Sequence, residues 1–296
     1  MPRVRVSKIL SLHNKQNLLK ILENFGNTNF SPYMWNSLLY PLSSHILKDK
    51  EFLSRYLLLS AILDQQADSP SARKTVIQIY DKYGVSFFLN PSNYLTKLYD
   101  VMILASQHYS PKARVMRMKT EGFLLLRIGG FLLSLVNITD RYGGLLQYFS
   151  RSVSPKELLN QILNDALLRG LLYEKAARMY TGWISHPSLW IDISSGKWKV
   201  YEIPMAINGH VCKVLARSGF LSDVLVENTA TMIVEAEKER DRIEDEVNNV
   251  RSTTDRFMVD FAAFYIGITY CKEKQPLCNE CPINSLCNKD TRFRAY

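Results

Sequence analysis

The sequence has few cysteines, few acidic residues relative to basic ones, and no long uninterrupted apolar run. Its most hydrophobic stretch, Gly122 to Ile138, contains Arg127 and falls short of the ~20 apolar residues that span a bilayer. We predict a buried helix or helix pair there. The first residues mix Lys, His, Asn and Gln among the apolar ones, unlike a signal peptide. We therefore expect a protein that is not secreted, that resides in the cytoplasm or at the nucleoid, and that does not bind membranes.

The composition is that of a folded protein with a basic surface. Hydrophobic residues make up 47% and charged residues 22%, which argues against long disordered segments. Lys and Arg number 37 against 28 Asp and Glu, so the chain carries a net charge of +9 and should attract polyanions. The basic residues are locally dense at Lys112, Arg114, Arg117 and Lys119. This favours a nucleic-acid partner over a charge that serves solubility alone. We also expect the protein to be a monomer.

Apolar residues recur mostly with helical spacing, which predicts an all-α fold. The period is present in the first segment and again in residues 72–82, 122–137, 155–180 and 225–250. Only residues 188–204 alternate in a way that predicts extended structure. The charge run EAEKERDRIEDE, residues 235–246, is typical of a solvated helix face.

Four of the five cysteines lie close together near the end of the sequence, in the pattern Cys-x6-Cys-x2-Cys-x5-Cys. They are Cys271, Cys278, Cys281 and Cys287, and Cys212 stands apart. This clustering is unlike a disulfide framework. Thiolates suit iron–sulfur clusters and zinc, and the spacing favours a compact loop around a cubane over the paired knuckles of a zinc site. A zinc site and free structural thiols remain as alternatives. Lys272 and Lys274 in the loop are candidates to contact a phosphate backbone.

The cysteine spacing resembles the iron–sulfur loop that ends endonuclease III and MutY, and four further matches precede it in the family's order. In this sequence DRFMVDFAAFYIGITYC (255–271) resembles the family's helix that leads into the loop, and IPMAINGHVCKVLARSGF (203–220) resembles its segment with the catalytic aspartate. LLLSAILDQQADSPSARK (57–74) and GLLYEKAARM (170–179) resemble two earlier helical segments of the family. The resemblance implies an all-α fold of two helical domains with a cleft between them. Residues 54–200 would form a helical-barrel-like domain with an insertion around 100–160, and residues 1–53 with 201–296 would carry a [4Fe–4S] cluster on the four cysteines.

Two functional positions depart from the family pattern. Asn208 occupies the place of the catalytic aspartate, and the Leu-Pro-Gly-x-Gly hairpin that grips the DNA backbone is replaced by HPSLWIDISSGKWKVYE (186–202). Lys197 and Lys199 could belong to a substitute phosphate-binding turn or to a merely solvent-exposed basic turn. Three interpretations of Asn208 remain: an enzyme whose asparagine orients a water, a non-catalytic binder, or an Asp-to-Asn change that traps substrate.

The resemblance also implies roles for other side chains. Gln66 would fill the space left by an extruded base, with Asp64 and Gln65 at the pocket wall, unless the two glutamines only cap a helix end. His210 would be structural near the active centre. The tryptophans Trp183, Trp190 and Trp198 would stack on a base or belong to the core.

The resemblance therefore implies a DNA glycosylase that hydrolyses the N-glycosidic bond of a damaged or mismatched, flipped-out base in double-stranded DNA. The place of the family's Schiff-base lysine falls near Trp190, so we expect a monofunctional enzyme. The alternatives are an N-glycosidase acting on a modified RNA or nucleoside, and a nucleic-acid-binding protein without catalysis.

Overall fold

Helices dominate the structure, as the apolar periodicity predicts. The computed structural model describes residues 3–65, 67, 69–110, 120–225 and 237–294. The α-helices of these residues are α1 (Leu12–Met34), α2 (Lys50–Asp64), α3 (Ser69–Leu89), α4 (Ser92–Leu95), α5 (Leu98–Ser106), α6 (Thr120–Tyr142), α7 (Leu145–Phe149), α8 (Pro155–Asn164), α9 (Glu174–Ser185), α10 (Gly209–Ser218), α11 (Arg240–Val250) and α12 (Arg256–Thr269). One short antiparallel ladder joins β1 (Arg3–Arg5) to β2 (Asp223–Leu225), with Val4 opposite Val224.

The chain divides into two units. Unit 1 comprises Met1–Ser31 and Lys199–Tyr296, and unit 2 comprises Pro32–Trp198. The first unit contains both strands, most of α1, and helices α10 to α12. The second contains α2 to α9.

The core of unit 1 is built around α10 and α12. Asn208 caps the start of α10, and Gly219 ends it in the left-handed conformation at φ 84°. Asp255 caps α12 by accepting a hydrogen bond from the Met258 N–H at 3.1 Å. Gly267 of α12 lies against α10 so closely that a Cβ there would be 2.8 Å from the Cβ of His210. The absence of a side chain at this glycine is therefore what lets the two helices pack.

Helix α11 is amphipathic, and its charges are used in ion pairs. Ile243, Val247 and Val250 are buried against the unit 1 core. On the other side of the helix, Arg242 pairs with Asp223 and with two glutamates, Glu239 and Glu246. The charge run thus ties the second strand to the helix as well as facing solvent.

Unit 2 packs around α2, whose residues from Phe52 to Leu63 are all buried. Arg55 on this helix is 2% exposed and donates to the carboxylate of Glu51 at 2.6 Å and to the carbonyl of Phe88 at 2.9 Å. These contacts satisfy a buried cation and link α2 to α3.

The apolar stretch centred on residues 122–138 forms one continuous helix, α6, of 23 residues. By length and composition it is the one helix of the described ranges that could cross a membrane, and half of its most apolar window is buried in the structure. Its Arg127 is 7% exposed and donates to the carbonyl oxygens of Gly170 and Leu171, both at 2.9 Å. These contacts are those of a packed core helix with an internal ion–dipole link.

Two local predictions are corrected. Residues 188–204 do not form extended structure: the segment contains the 3-10 helices Pro187–Leu189 and Val200–Glu202, joined by turns. The alternating apolar residues there differ in burial, since Ile191 is buried and Trp190 is exposed, so their spacing of two does not report a strand. The predicted helical segment 155–180 is broken after Asn164 and resumes at Glu174.

Candidate metal centre and the Asn208 position

The four clustered cysteines line one cavity in unit 1. We call residues 271–287 the cysteine loop; it begins directly after α12, where the Cys271 N–H donates to the Ile266 carbonyl at 2.8 Å. A 3-10 turn then carries Cys278 and leads to Cys281, and the Cys287 N–H closes on the Ile283 carbonyl at 3.0 Å. The cavity measures about 20 Å³ and is lined by Val214, Arg217, Ile266, Tyr270, Cys271, Cys278, Cys281, Ile283, Asn284, Cys287 and Lys289.

The thiols are partly buried, and this shapes their acidity. Burial raises the pKa of Cys281, and it raises the pKa of Cys287 to about 11. A backbone N–H, that of Lys289, also points at the Cys287 sulfur at 3.4 Å and opposes part of that shift. Metal binding would therefore displace protons from these sulfurs, as is general for thiolate ligands.

The donor set fits a thiolate-bound metal group: four soft sulfur donors around one cavity, with N–H groups directed at sulfur. Within the part of the chain that is described, no three His, Cys, Asp or Glu side chains lie close enough together to hold a metal ion. The four cysteines line one cavity, but their side chains do not converge on one position within it.

Two basic residues of α10 stand beside this cavity. Lys213 is 1% exposed and donates to the Gly267 carbonyl at 2.9 Å, and its ammonium lies 3.2 Å from a carboxylate oxygen of Glu273. Burial lowers the pKa of Lys213, and the Glu273 carboxylate opposes this. Arg217 is 2% exposed and reaches the sulfur of Cys271 at 3.4 Å. Sequence reasoning missed both, although their separation of four residues on one face of α10 was the available signal.

Asn208 lies at the N-terminus of the same helix. Its side-chain Oδ1 accepts hydrogen bonds from the backbone N–H groups of His210 at 2.8 Å and Val211 at 3.2 Å. It is thus an N-cap that satisfies two of the four N–H groups a helix start leaves without partners. Helix α10 carries the candidate catalytic residue at its first turn and a cavity residue, Arg217, nine residues later, roughly 14 Å along the axis at 1.5 Å per residue.

His210 is held within unit 1. Its ring packs edge-on against Phe264 with centroids 6.1 Å apart, and its Nδ1 lies 3.5 Å from the Lys213 ammonium. Its backbone abuts Gly267. These contacts fix the position of His210 within unit 1.

The predicted pocket-wall residues belong to unit 2. Gln65 uses both ends of its amide there: Nε2 donates to the carbonyls of Ile62 at 3.0 Å and Leu171 at 2.7 Å, and Oε1 accepts from the Tyr173 N–H at 2.6 Å. The glutamine therefore terminates α2 and holds the chain that leads into α9. Asp64 is half-buried at the last position of α2. Gln66 lies outside the described residues, as do Lys112, Arg114, Arg117 and Lys119.

The segment of residues 186–202 has an unusual backbone. Trp190, Asp192 and Ser195 all have positive φ, at 62°, 36° and 52°, a conformation that costs non-glycine residues of order 1–3 kcal/mol each. Trp190 is 47% exposed, whereas its neighbours Leu189 and Ile191 are fully buried. The tight turn therefore presents this ring outward.

The other residues named in that segment differ in exposure. Lys197 and Lys199 are exposed, Trp198 is half-buried, and Trp183 is 4% exposed in α9. Trp183 therefore belongs to the core, which is one of the two roles considered for it, and not to a surface that could stack on a base. Lys199 and Asn208 belong to unit 1, and Trp190 and Lys197 to unit 2.

Compared with known proteins, the chain matches no family model. A search of curated proteins likewise found no match.

Proposed function

We propose that the protein is a DNA N-glycosylase of the endonuclease III and MutY type, with a [4Fe–4S] cluster on Cys271, Cys278, Cys281 and Cys287. The observation that carries the proposal is the cavity these four cysteines share at the end of α10 and α12. The same helix α10 begins at Asn208, the position that resembles the family's catalytic aspartate. The resemblance of four segments in the family's order supports the same assignment.

In this proposal the cluster acts as a structural element, fixing the cysteine loop when bound. The substrate would be a double-stranded DNA lesion whose base is flipped out before hydrolysis. The exposed Lys197 and Lys199 would contact phosphates, and the exposed ring of Trp190 would stack on a base. Gln66 would occupy the vacated space in the duplex, while Gln65 positions the adjoining backbone through its three hydrogen bonds.

Asn208 has a double task in this mechanism. Its Oδ1 already accepts two backbone hydrogen bonds, so the amide NH2 is the group that remains for a water or a sugar oxygen. An amide carries no negative charge to stabilise an oxocarbenium-like sugar. We therefore expect base release to be slow with Asn208 and faster with a carboxylate at this position.

The reaction would be monofunctional. A Schiff-base step requires an amine at the place of the family's lysine, and in this chain that place falls near Trp190. The amine of Lys213, the lysine of α10, is 1% exposed and engaged with Gly267 and Glu273. Borohydride treatment of the protein with a cleaved or abasic substrate should trap no covalent complex. A trapped complex would contradict this part of the proposal.

The experiment that tests the function is base release by the cluster-loaded protein, as it stands and as Asn208→Asp, on lesion duplexes, modified RNA and modified nucleosides. Release from duplex DNA supports the proposal. Release from RNA or nucleosides alone would assign the N-glycosidase to that substrate, for which the replaced hairpin segment at 186–202 is the favouring feature.

A second candidate is a nucleic-acid-binding protein without catalysis. The observation that favours it is the use of Asn208 Oδ1 as a helix cap, which gives this side chain a structural task independent of any substrate. Such a protein would bind duplex DNA with a steep salt dependence. It would release no base, even as Asn208→Asp.

A further inference from the structure

Arg217 is the residue that joins the two ends of the cysteine loop. Its guanidinium donates to the carbonyl of Phe293 at 2.6 Å, to the carbonyl of Lys272 at 3.2 Å and to the sulfur of Cys271 at 3.4 Å. Its own carbonyl oxygen accepts from the thiol of Cys287 at 3.6 Å. One buried side chain and its backbone thus touch the first and the last cysteine of the cavity.

The charges around this contact are unbalanced. Lys213 and Arg217 are almost fully buried, and the carboxylate that pairs with them is Glu273, at 3.2 Å and 3.5 Å. The Glu273 side chain is one-third exposed, although the oxygen that faces Arg217 is itself buried. A buried cation is destabilised unless an opposite charge compensates it. Among the described residues that these contacts join, two buried cations face one carboxylate, which leaves a positive environment on the Cys271 side of the cavity.

An iron–sulfur cubane held by four thiolates carries net negative charge and becomes more negative on reduction. Hydrogen bonds to the sulfurs and nearby charges are the protein's means of adjusting its potential. A buried cation within hydrogen-bond distance of a ligand sulfur stabilises the reduced state more than the oxidised one. The environment described above has the sign needed for this effect.

We infer that Arg217 is a positioning residue for the cluster, which holds the Cys271 sulfur and raises the cluster's reduction potential through its buried positive charge. The inference rests on the proposed [4Fe–4S] cluster. Glu273 acts in the opposite sense, because it partly neutralises the same cations. The couple concerned is the one-electron reduction of the bound cluster, with the electron supplied by an electrode in the test below.

The test is voltammetry of the full-length, cluster-loaded protein and four variants. In Arg217→Gln the ratio of reduced to oxidised cluster at the wild-type midpoint potential should fall at least about tenfold, which is 59 mV for a one-electron couple. In Glu273→Gln the same ratio should rise, by about threefold because the Glu273 side chain is partly exposed. Arg217→Lys keeps the charge and should stay near the wild type. Arg256→Gln, a control at an arginine of the same unit that does not line the cavity, should not shift the ratio.

Opposite shifts in Arg217→Gln and Glu273→Gln distinguish a charge effect from a loss of structure, which would move both variants in the same direction. Equal potentials in Arg217→Gln and the wild type, or shifts of the same sign in both variants, would overturn the inference. If Arg217→Gln loses its cluster, the potentials of Arg217→Lys and Glu273→Gln decide the question. A wild-type protein without iron and sulfide would overturn the cluster proposal, and this inference with it; a retained cluster with unshifted potentials would overturn the role of Arg217 alone.

Discussion

Replacing Asn208 by Asp changes two things at once, and their magnitudes differ enough to be separated. The new carboxylate keeps an acceptor for the His210 and Val211 N–H groups, now at 2.8 Å and 3.2 Å from the amide oxygen. It also places a negative charge at the start of α10, which stabilises a helix by about 0.3–1 kcal/mol. A free-energy gain of this size changes the ratio of folded to unfolded protein by a factor of roughly five at most.

A catalytic effect would be much larger. A positioned general base contributes about 10²- to 10⁴-fold to a rate. A gain in base release within roughly fivefold would thus be explained by the helix cap alone, whereas a gain of about a hundredfold or more requires the carboxylate to act on the reaction. The fivefold limit comes from the effect of the helix cap on stability, and the hundredfold threshold comes from the usual contribution of a general base.

The assay is single-turnover base release by the cluster-loaded protein, together with the thermal unfolding of each variant. Asn208→Ser is the matched control, because serine caps a helix about as well as asparagine without adding charge. Asn208→Ala should lose about 1 kcal/mol of stability and gain no activity. The reasoning is refuted if Asn208→Asp is stabilised as expected but gives no gain beyond the cap effect on any duplex, RNA or nucleoside substrate.

Three further predictions concern the cluster, acid stability and DNA binding. Replacing any cysteine of the cysteine loop by serine should abolish bound iron, whereas Cys212→Ser, buried outside the cavity, should retain it, as metal analysis of the purified proteins will show. Hydrogen bonds from a neighbouring arginine hold the pKa of Asp290 well below its usual range, so its stabilisation is present above about pH 4 and lost as the pH falls below that value. Lowering the pH from 5 to 3 should therefore reduce the free energy of unfolding of the wild type more than that of Asp290→Asn. At neutral pH this variant should be less stable than the wild type by about 1.5–3 kcal/mol. Equal dependence of stability on pH in the two proteins would contradict this. Replacing Lys197 and Lys199 together by Gln should reduce the magnitude of the slope of log affinity for duplex DNA against log salt concentration by about 2. The exposed control Lys82→Gln should leave the slope unchanged. An unchanged slope in the double variant would show that neither lysine contacts a phosphate.

The helical character of the chain was predictable because apolar spacing reports which face of a segment is buried. The periods at 72–82 and 122–137 fall within α3 and α6. The same reasoning failed at 188–204, where buried residues such as Leu189 and Ile191 alternate with exposed ones around tight turns. Alternation over a few residues reports burial and not backbone direction, so it cannot separate a strand from a series of turns.

The four cysteines of the candidate metal centre were visible in the sequence, since their spacing is a local property of one short loop. The contact between Arg217 and Glu273 could not be predicted from that spacing. They lie 56 residues apart in the chain (273 − 217), and only the packing of α10 beside the loop brings their charges to 3.5 Å. Likewise, the residue type at Asn208 was visible at once, whereas its use as the cap of α10 depends on where that helix begins. The sequence by itself determined which cysteines are clustered and which periodic segments are present, because these follow from neighbours along the chain. The tertiary structure alone decided which charges surround the sulfurs and which polar atoms are already engaged, because those depend on contacts between segments distant in sequence.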